Sequence, residues 1–222
     1  MLSTRLHRPP TSLKHVFINL KADTADAKPK KLASILMGVT RFPVLIFCNT
    51  VGSAQNLTQL LKKDPTYEQK LSGVLNPLLQ LEQPTYGENV DCLHGYLPHD
   101  MRDRLMRRFH ATSSIVSTPT KLTVLEHRQA ARRTEEGSEV AKADAPVHVL
   151  VTTDIASRGL DTRNVQTVIL YDFPHSAVDY LHRAGRTARA GDTGHVISII
   201  NKKEKERAWR INDAIRKKTT IR

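Results

Sequence analysis

Two cysteines, Cys48 and Cys92, are all that this 222-residue sequence holds, and that shortage excludes a four-cysteine zinc site built from the chain. Both lie inside apolar stretches, where a thiol behaves as a small hydrophobe, so they are expected to be reduced core residues. No apolar run approaches the ~18 residues a membrane-spanning helix needs, and the opening MLSTRLHRPP lacks the apolar core of a secretory signal. The expectation is a soluble, intracellular protein. Self-similarity at a fixed period is also absent, which removes repeat architectures. Acidic residues are outnumbered: 22 Asp and Glu stand against 34 Lys and Arg, a formal charge of +12. Such an imbalance favours a polyanionic partner, either nucleic acid or an anionic membrane surface. At 39%, apolar residues sit slightly below ordinary globular usage, so some stretch is expected outside the core.

What is present is a rhythm of short apolar runs and amphipathic segments. LKHVFINL (13–20) reads as a strand, and KKLASILMGV (30–39) places Leu32, Ile35, Leu36 and Val39 at helical spacing. VLIFC (44–48) is continuously apolar, the pattern of a strand buried on both faces, and the amphipathic VGSAQNLTQLLKK (51–63) comes after it. NVDCL with PHDMRDRLMRRF, VHVLVT with a short helical turn, and TVILY with SAVDYLHRAG repeat the unit; HVISII and a basic helix from about 202 complete it. Strands alternating with helices imply a doubly wound α/β layer structure with a parallel sheet. Two stretches are too long for connections within such units and are expected to be insertions, at about 64–88 and 111–146. The second carries five basic and five acidic residues, so the basic surplus belongs to the scaffold, including 201–222 with nine basic against three acidic residues.

In an open parallel sheet, ligands bind outside the carboxyl ends of the strands. TDIASRGLD (153–161) sits there, after VHVLVT. Thr153 and the backbone amides suit phosphate oxygens, and Gly159 lets the backbone approach a ligand closely. Asp161 would repel a triphosphate and fits a sugar hydroxyl or a partnering arginine. A plain turn with a helix cap is the competing reading. HRAGRTARAG (182–191) carries Arg183, Arg186 and Arg189 at three-residue spacing around Gly185, which would share one face if helical. With no acid in the segment they call for an anion, and a planar fork that grips phosphate bidentately suits charge on a transferring phosphoryl group. A solvated basic face is the alternative.

These motifs, taken together, resemble the C-terminal RecA-like lobe of DEAD-box ATP-dependent RNA helicases. VLIFCNT (44–50) is similar to motif IV, LHGYLPHDMR (93–102) to motif IVa, TTDIASRGLD (152–161) to motif V and HRAGRTAR (182–189) to motif VI, in family order. The resemblance runs from about Leu6 onward apart from the two insertions. It implies residues 1–12 as a remnant of an interlobe linker, a lobe over 13–200 and a basic C-terminal helix over 201–222. It implies Arg186 and Arg189 as arginine fingers on the γ-phosphate of ATP, which with Mg2+ would be bound mainly by a separate N-terminal lobe. His182 would bridge to that lobe, while Gly159 and Asp161 would meet the nucleotide. Asn49, Thr50, Gly95, Arg102 and Thr153 would contact the RNA backbone.

The departures are specific. His99 stands where motif IVa usually has glutamine, and Val51 and Gly52 come after CNT where basic residues are common. No Gly-x-x-x-x-Gly-Lys-Thr/Ser phosphate loop and no Asp-Glu-Ala-Asp stretch occurs in these residues, so the chain supplies one wall of an ATP site and is expected to be inactive alone. The implied mechanism is closure of two lobes on ATP and RNA, local strand separation, and reopening after hydrolysis. A non-catalytic RNA-binding scaffold in a ribonucleoprotein is the alternative, and a DNA translocase with a similar lobe is a third. The wording YDFP and HRAGR is similar to organellar, ribosome-associated members, which implies a mitochondrial ribosome-assembly role, with nucleus or cytoplasm as alternatives.

Overall fold

The computed structural model describes residues 12–39, 43–63, 89–117, 148–154, 162, 165–188 and 193–220. Six strands carry the fold: β1 (Leu13–Asn19), β2 (Val44–Phe47), β3 (Val90–Leu93), β4 (Val149–Thr152), β5 (Thr167–Leu170) and β6 (Gly194–Ile200). Among the described residues five helices accompany them: α1 (Ala27–Gly38), α2 (Val51–Lys63), α3 (His99–Ser117), α4 (Ala177–Ala184) and α5 (Lys205–Arg216), the last preceded by a 3-10 turn at Lys202–Glu204. The sheet is parallel throughout, in the order β1-β6-β5-β2-β4-β3. The doubly wound α/β expectation is met. α3 runs to Ser117, into the stretch expected to be an insertion from 111; the rest of that stretch and the one at 64–88 lie outside the described residues.

Alternation along buried strands divides the core into two layers, because successive side chains point to opposite faces. Val44, Ile46, Val149, Val151, Ile169 and Ile199 face α1 and α2, where Leu32, Leu36, Ala54, Leu57 and Leu61 cover them. Leu45, Phe47, Leu150, Val168, Leu170 and Val196 face the other way, onto Leu105 and Phe109 of α3, Tyr180 and Ala184 of α4, and Ala208 and Ile211 of α5. Every residue of β2, β4 and β5 is buried, which is why those runs are apolar apart from Thr152 and Thr167 at two strand ends. Cys48 is buried and Cys92 half-buried, both are free, and burial pushes the Cys48 thiol up to about 12. Cys48 is a core group as expected, whereas Cys92 packs against the core without being fully buried.

The strand order sets the functional geometry. After β3, at one edge, the chain returns to β4 and then passes β2 to pair on its far side as β5. Val44 lies beside both Val149 and Thr167, and Phe47 beside both Thr152 and Leu170. The carboxyl ends of β2, β4 and β5 therefore open side by side at a reversal of strand order, where a crevice forms. Edge strand β3 is pinned by Asp91, which accepts from Lys62 of α2 at 3.0 Å and Arg108 of α3 at 2.8 Å. Part of the basic surplus on α3 is thus committed to structure.

On the opposite edge, half-buried His15 of β1 lies 2.7 Å from the Tyr180 hydroxyl through Nδ1. Burial lowers its pKa from 6.5 to about 4, so the folded protein holds the ring neutral. As pH falls from 6.5 towards 4 the unfolded chain takes up a proton that the folded chain refuses, and stability declines across that window. After discounting for partial solvent access, about 1–2 kcal/mol should be lost. Urea unfolding of wild type and His15→Phe at pH 7 and pH 4.5 should show this extra loss in the wild type and not in the variant.

Candidate functional site

Arg183, in the last turn of α4, is the centre of the crevice. It is 2% exposed, among the largest fully buried side chains. Its Nε donates to Asp154 Oδ1 at 2.7 Å and its Nη2 to Asp154 Oδ2 at 2.6 Å, a two-pronged pair with the residue that leaves β4. Nη1 donates to the backbone carbonyl of Asp172, after β5, at 2.7 Å, and Nη2 also reaches Asn49 Oδ1, after β2, at 2.7 Å. The guanidinium lies 5.3 Å from the centre of the Phe47 ring. One side chain thereby fastens three strand ends and a helix.

The partners are themselves engaged. Asn49 donates from Nδ2 to the Phe173 carbonyl at 3.1 Å and lies 3.3 Å from His175 Nε2. Asp172 accepts from the Asn49 amide at 3.1 Å and the Ser53 hydroxyl at 2.8 Å through Oδ2, and from Lys28 at 3.1 Å through Oδ1. Thr50 is exposed, and its hydroxyl accepts from the Ser53 amide at 3.1 Å, capping α2. Thr153 is 5% exposed, and its hydroxyl Oγ1 is buried without a hydrogen-bond partner among the described residues.

Beyond Arg183 the helix stops, and the stop is built in. The Gly185 amide donates to Leu181 O at 2.8 Å, while the amides of Arg186 and Thr187 turn back tightly to Arg183 O and Ala184 O at 3.1 and 3.3 Å. The Thr187 hydroxyl, 1% exposed as a residue, donates to Val165 O at 2.6 Å. Ala188 has φ 55, in the left-handed region that costs an alanine about 1–2 kcal/mol. Gly194 opens β6 against this turn: a Cβ there would lie 2.8 Å from the Ala188 amide and nearer still to the Thr187 hydroxyl. Arg186 is therefore held between two anchors, Arg183 before it and Thr187 with Gly194 after it.

Arg183, Arg186 and Arg189 would share a face if their stretch were helical; that condition is not met at Arg186, and Arg189 lies outside the described residues. α4 ends at Ala184, and Arg183 turns inward to an acid 29 residues upstream that a local charge count could not see. His182 is exposed on the last turn and Arg186 is half-buried in the turn beyond it. Asn49, Thr50 and Thr153 come together at the crevice. Gly95 and Arg102 lie apart, at the carboxyl end of β3 and the first turn of α3; Gly95 is exposed and Arg102 half-buried. Gly159, Asp161 and Arg189 lie outside the described residues. Asp154, Asp172, Lys28 and Ser53 were not singled out from the sequence; the aspartates directly after two apolar runs were the available signal.

Residues 120–191 match the family model described as "Helicase conserved C-terminal domain". The chain is 28% identical over 221 residues to DEAD-box ATP-dependent RNA helicase 39 of Arabidopsis thaliana, covering 99% of this chain and 27% of that protein. It is 31% identical over 157 residues to ATP-dependent RNA helicase MRH4, mitochondrial, of Eremothecium gossypii, covering 66% of this chain and 28% of the relative. Among solved structures, the C-terminal domain of the DEAD-box protein Dbp5 superposes with a TM-score of 0.56 at 26% identity, covering 93% of this chain and 84% of that one. The chain thus spans about a quarter of the length of these two curated relatives.

If the knot depends on fork geometry rather than charge alone, Arg183→Lys should be nearly as damaging as Arg183→Met, because one ammonium cannot span Asp154, Asn49 and the Asp172 carbonyl. Each substitution should cost about 3–5 kcal/mol in urea unfolding, as removal of one member of a buried pair does. Gly194→Ala, which forces the arginine turn aside, should cost about 1–3 kcal/mol in the same assay.

Proposed function

We propose that the chain is the C-terminal RecA-like lobe of a DEAD-box helicase, and that it works as the half of an ATP-dependent RNA helicase that closes over nucleotide held by an N-terminal lobe. The observation that carries this reading is the clamped turn at Arg186. A residue whose task is to meet a transferring phosphoryl group benefits from being fixed before the ligand arrives, since orientation then costs nothing during the reaction. Arg186, with Arg189, neutralises charge that builds on the γ-phosphoryl as water attacks phosphorus and ADP departs. His182, exposed one turn earlier, bridges to the facing lobe. Gly159 and Asp161 meet the nucleotide, Asp161 at the ribose.

RNA lies on the crevice and on the neighbouring loops. Thr153 offers a buried hydroxyl that has no partner among the described residues, suited to one phosphate oxygen. Thr50, Gly95 and Arg102 supply further backbone contacts. The Asn49 carboxamide is occupied at both ends, so its part in RNA binding is to hold the strand end that presents Thr50. Contacts of this kind read the sugar and phosphate rather than the base sequence. Among the described residues no group of three or more His, Cys, Asp or Glu converges, so no step is assigned to magnesium on this lobe. The metal would accompany ATP on the other lobe and polarise its phosphates.

A ribosome-assembly role within an organelle is the finer form of the proposal. It is supported by the YDFP and HRAGR wording and by similarity to a relative whose name carries "mitochondrial". Imaging of the tagged full-length protein tests it, and a wholly nuclear or cytosolic signal would overturn it.

In the complete two-lobed protein, Arg186→Ala should lower RNA-stimulated phosphate release by about 10³-fold or more, in the range lost with an arginine finger. RNA affinity measured without nucleotide should change little. Unaltered ATPase in this variant would sink the reading and leave the non-catalytic scaffold.

A further inference from the structure

We propose that α5 and the carboxyl end of β1 form a second RNA-contacting surface, on which a base of a single-stranded segment stacks against Trp209. A cavity of about 320 Å³ opens there, lined by Phe17 and Asn19 of β1 and by Lys205, Ala208, Trp209 and Asn212 of α5. Trp209 is 66% exposed, and it is the sequence's one tryptophan. An indole left so far uncovered beside a cavity has a large apolar face without a protein partner, and every base can stack on such a face whatever its identity.

The floor of the groove is backed by packed aromatic rings. Phe17 stacks on Tyr180 at 6.0 Å between ring centres and meets Phe173 at 6.4 Å. Phe173, fully buried behind Phe17, also holds Asn49 of the crevice through its carbonyl. The groove is therefore linked to the first site through Phe173.

The rim decides the class of occupant. Lys205, Trp209, Asn212 and Arg216 recur at helical spacing and share one face of α5. The acids nearby are already matched: Glu206 pairs with Arg210 at 2.5 Å, Asp213 with Lys217 at 2.7 Å, and buried Glu204 faces Lys28 at 3.6 Å. Lys205 lines the groove together with the Asn19 and Asn212 amides, and Lys203 and Arg216, both exposed, add positive charge to the same segment of chain. An aromatic platform bordered by cations and amides matches a sugar-phosphate strand with an unstacked base. An apolar helix from a protein partner would instead bury those cations without compensation.

The single tryptophan makes the test direct. Titrating the 222-residue chain with a twelve-nucleotide oligouridine should quench Trp209 fluorescence in step with the anisotropy of the labelled oligonucleotide. Trp209→Ala should weaken binding about 10-fold, as loss of a stacking aromatic does, while Trp209→Phe stays within about 3-fold. Lys205→Glu with Arg216→Glu should make the salt dependence of affinity less steep by one to two charges. Binding without quenching, or an unaffected Trp209→Ala variant, would overturn the groove while leaving the crevice reading intact. The absence of any binding would overturn the groove outright, as would quenching by an acidic peptide alone, or quenching that grows with protein concentration and reveals self-association. Arg186→Ala, outside the groove, should leave the quenching unchanged, so failure of the ATPase reading and failure of this one are told apart.

Discussion

A guanidinium taken almost wholly out of water must be answered at its donors, because an unmet charge in the interior costs several kcal/mol. Arg183 meets that demand with a two-pronged carboxylate, a carboxamide oxygen, a backbone carbonyl and the face of Phe47. Its acceptors come from the ends of β2, β4 and β5, which share no local sequence. Hydrophobic packing brings these strands together but is non-directional and leaves the exact height of their ends loosely set. The arginine is directional, and it fixes them.

The same fixation carries into the turn beyond α4. With Arg183 immobile, the tight turn at 185–187 begins from a defined point, and the Thr187 hydroxyl bound to Val165 defines where it ends. Ala188 is kept in a left-handed conformation that alanine would leave in a free loop, and Gly194 makes room for it by having no side chain. Local strain of about 1–3 kcal/mol persists only where neighbours over-determine it, and it clusters where a side chain must be aimed. The burial of one arginine and the aim of the next are thus two parts of one construction.

Much of the fold was legible because it rests on local periodicity. Apolar runs of four or five residues marked β2, β4 and β5 since both faces are covered, and helical spacing marked α1 and α2 with boundaries within a few residues. The site was legible only in outline. Arg183 and Arg186 are the same residue type three positions apart, and their opposite fates depend on where α4 stops and on Asp154 and Asn49, 29 and 134 positions away. Asn49 was read as a ligand contact for the same reason: nothing near it in the chain announces that both ends of its amide are taken. Gly194 carried no sequence signal at all, since its necessity comes from Thr187 across a loop.

Net charge needs the same correction. A formal +12 suggests a polyanion, yet a cation counts towards an external field only after its internal partners are subtracted. Arg183 belongs to Asp154, Arg108 and Lys62 to Asp91, and Lys28 to Asp172 and Glu204. Several of the most deeply placed cations are therefore structural, and they hold the crevice in shape rather than attract a ligand to it. The exposed surplus lies further along, where α5 pairs off its own acids and still carries lysine and arginine beside an uncovered indole. The groove at α5 and the crevice are linked through buried Phe173, which packs against Phe17 and holds Asn49 by its carbonyl. If both surfaces take RNA as proposed, the exposed charges would supply the attraction, and the indole face and the clamped crevice would supply the grip.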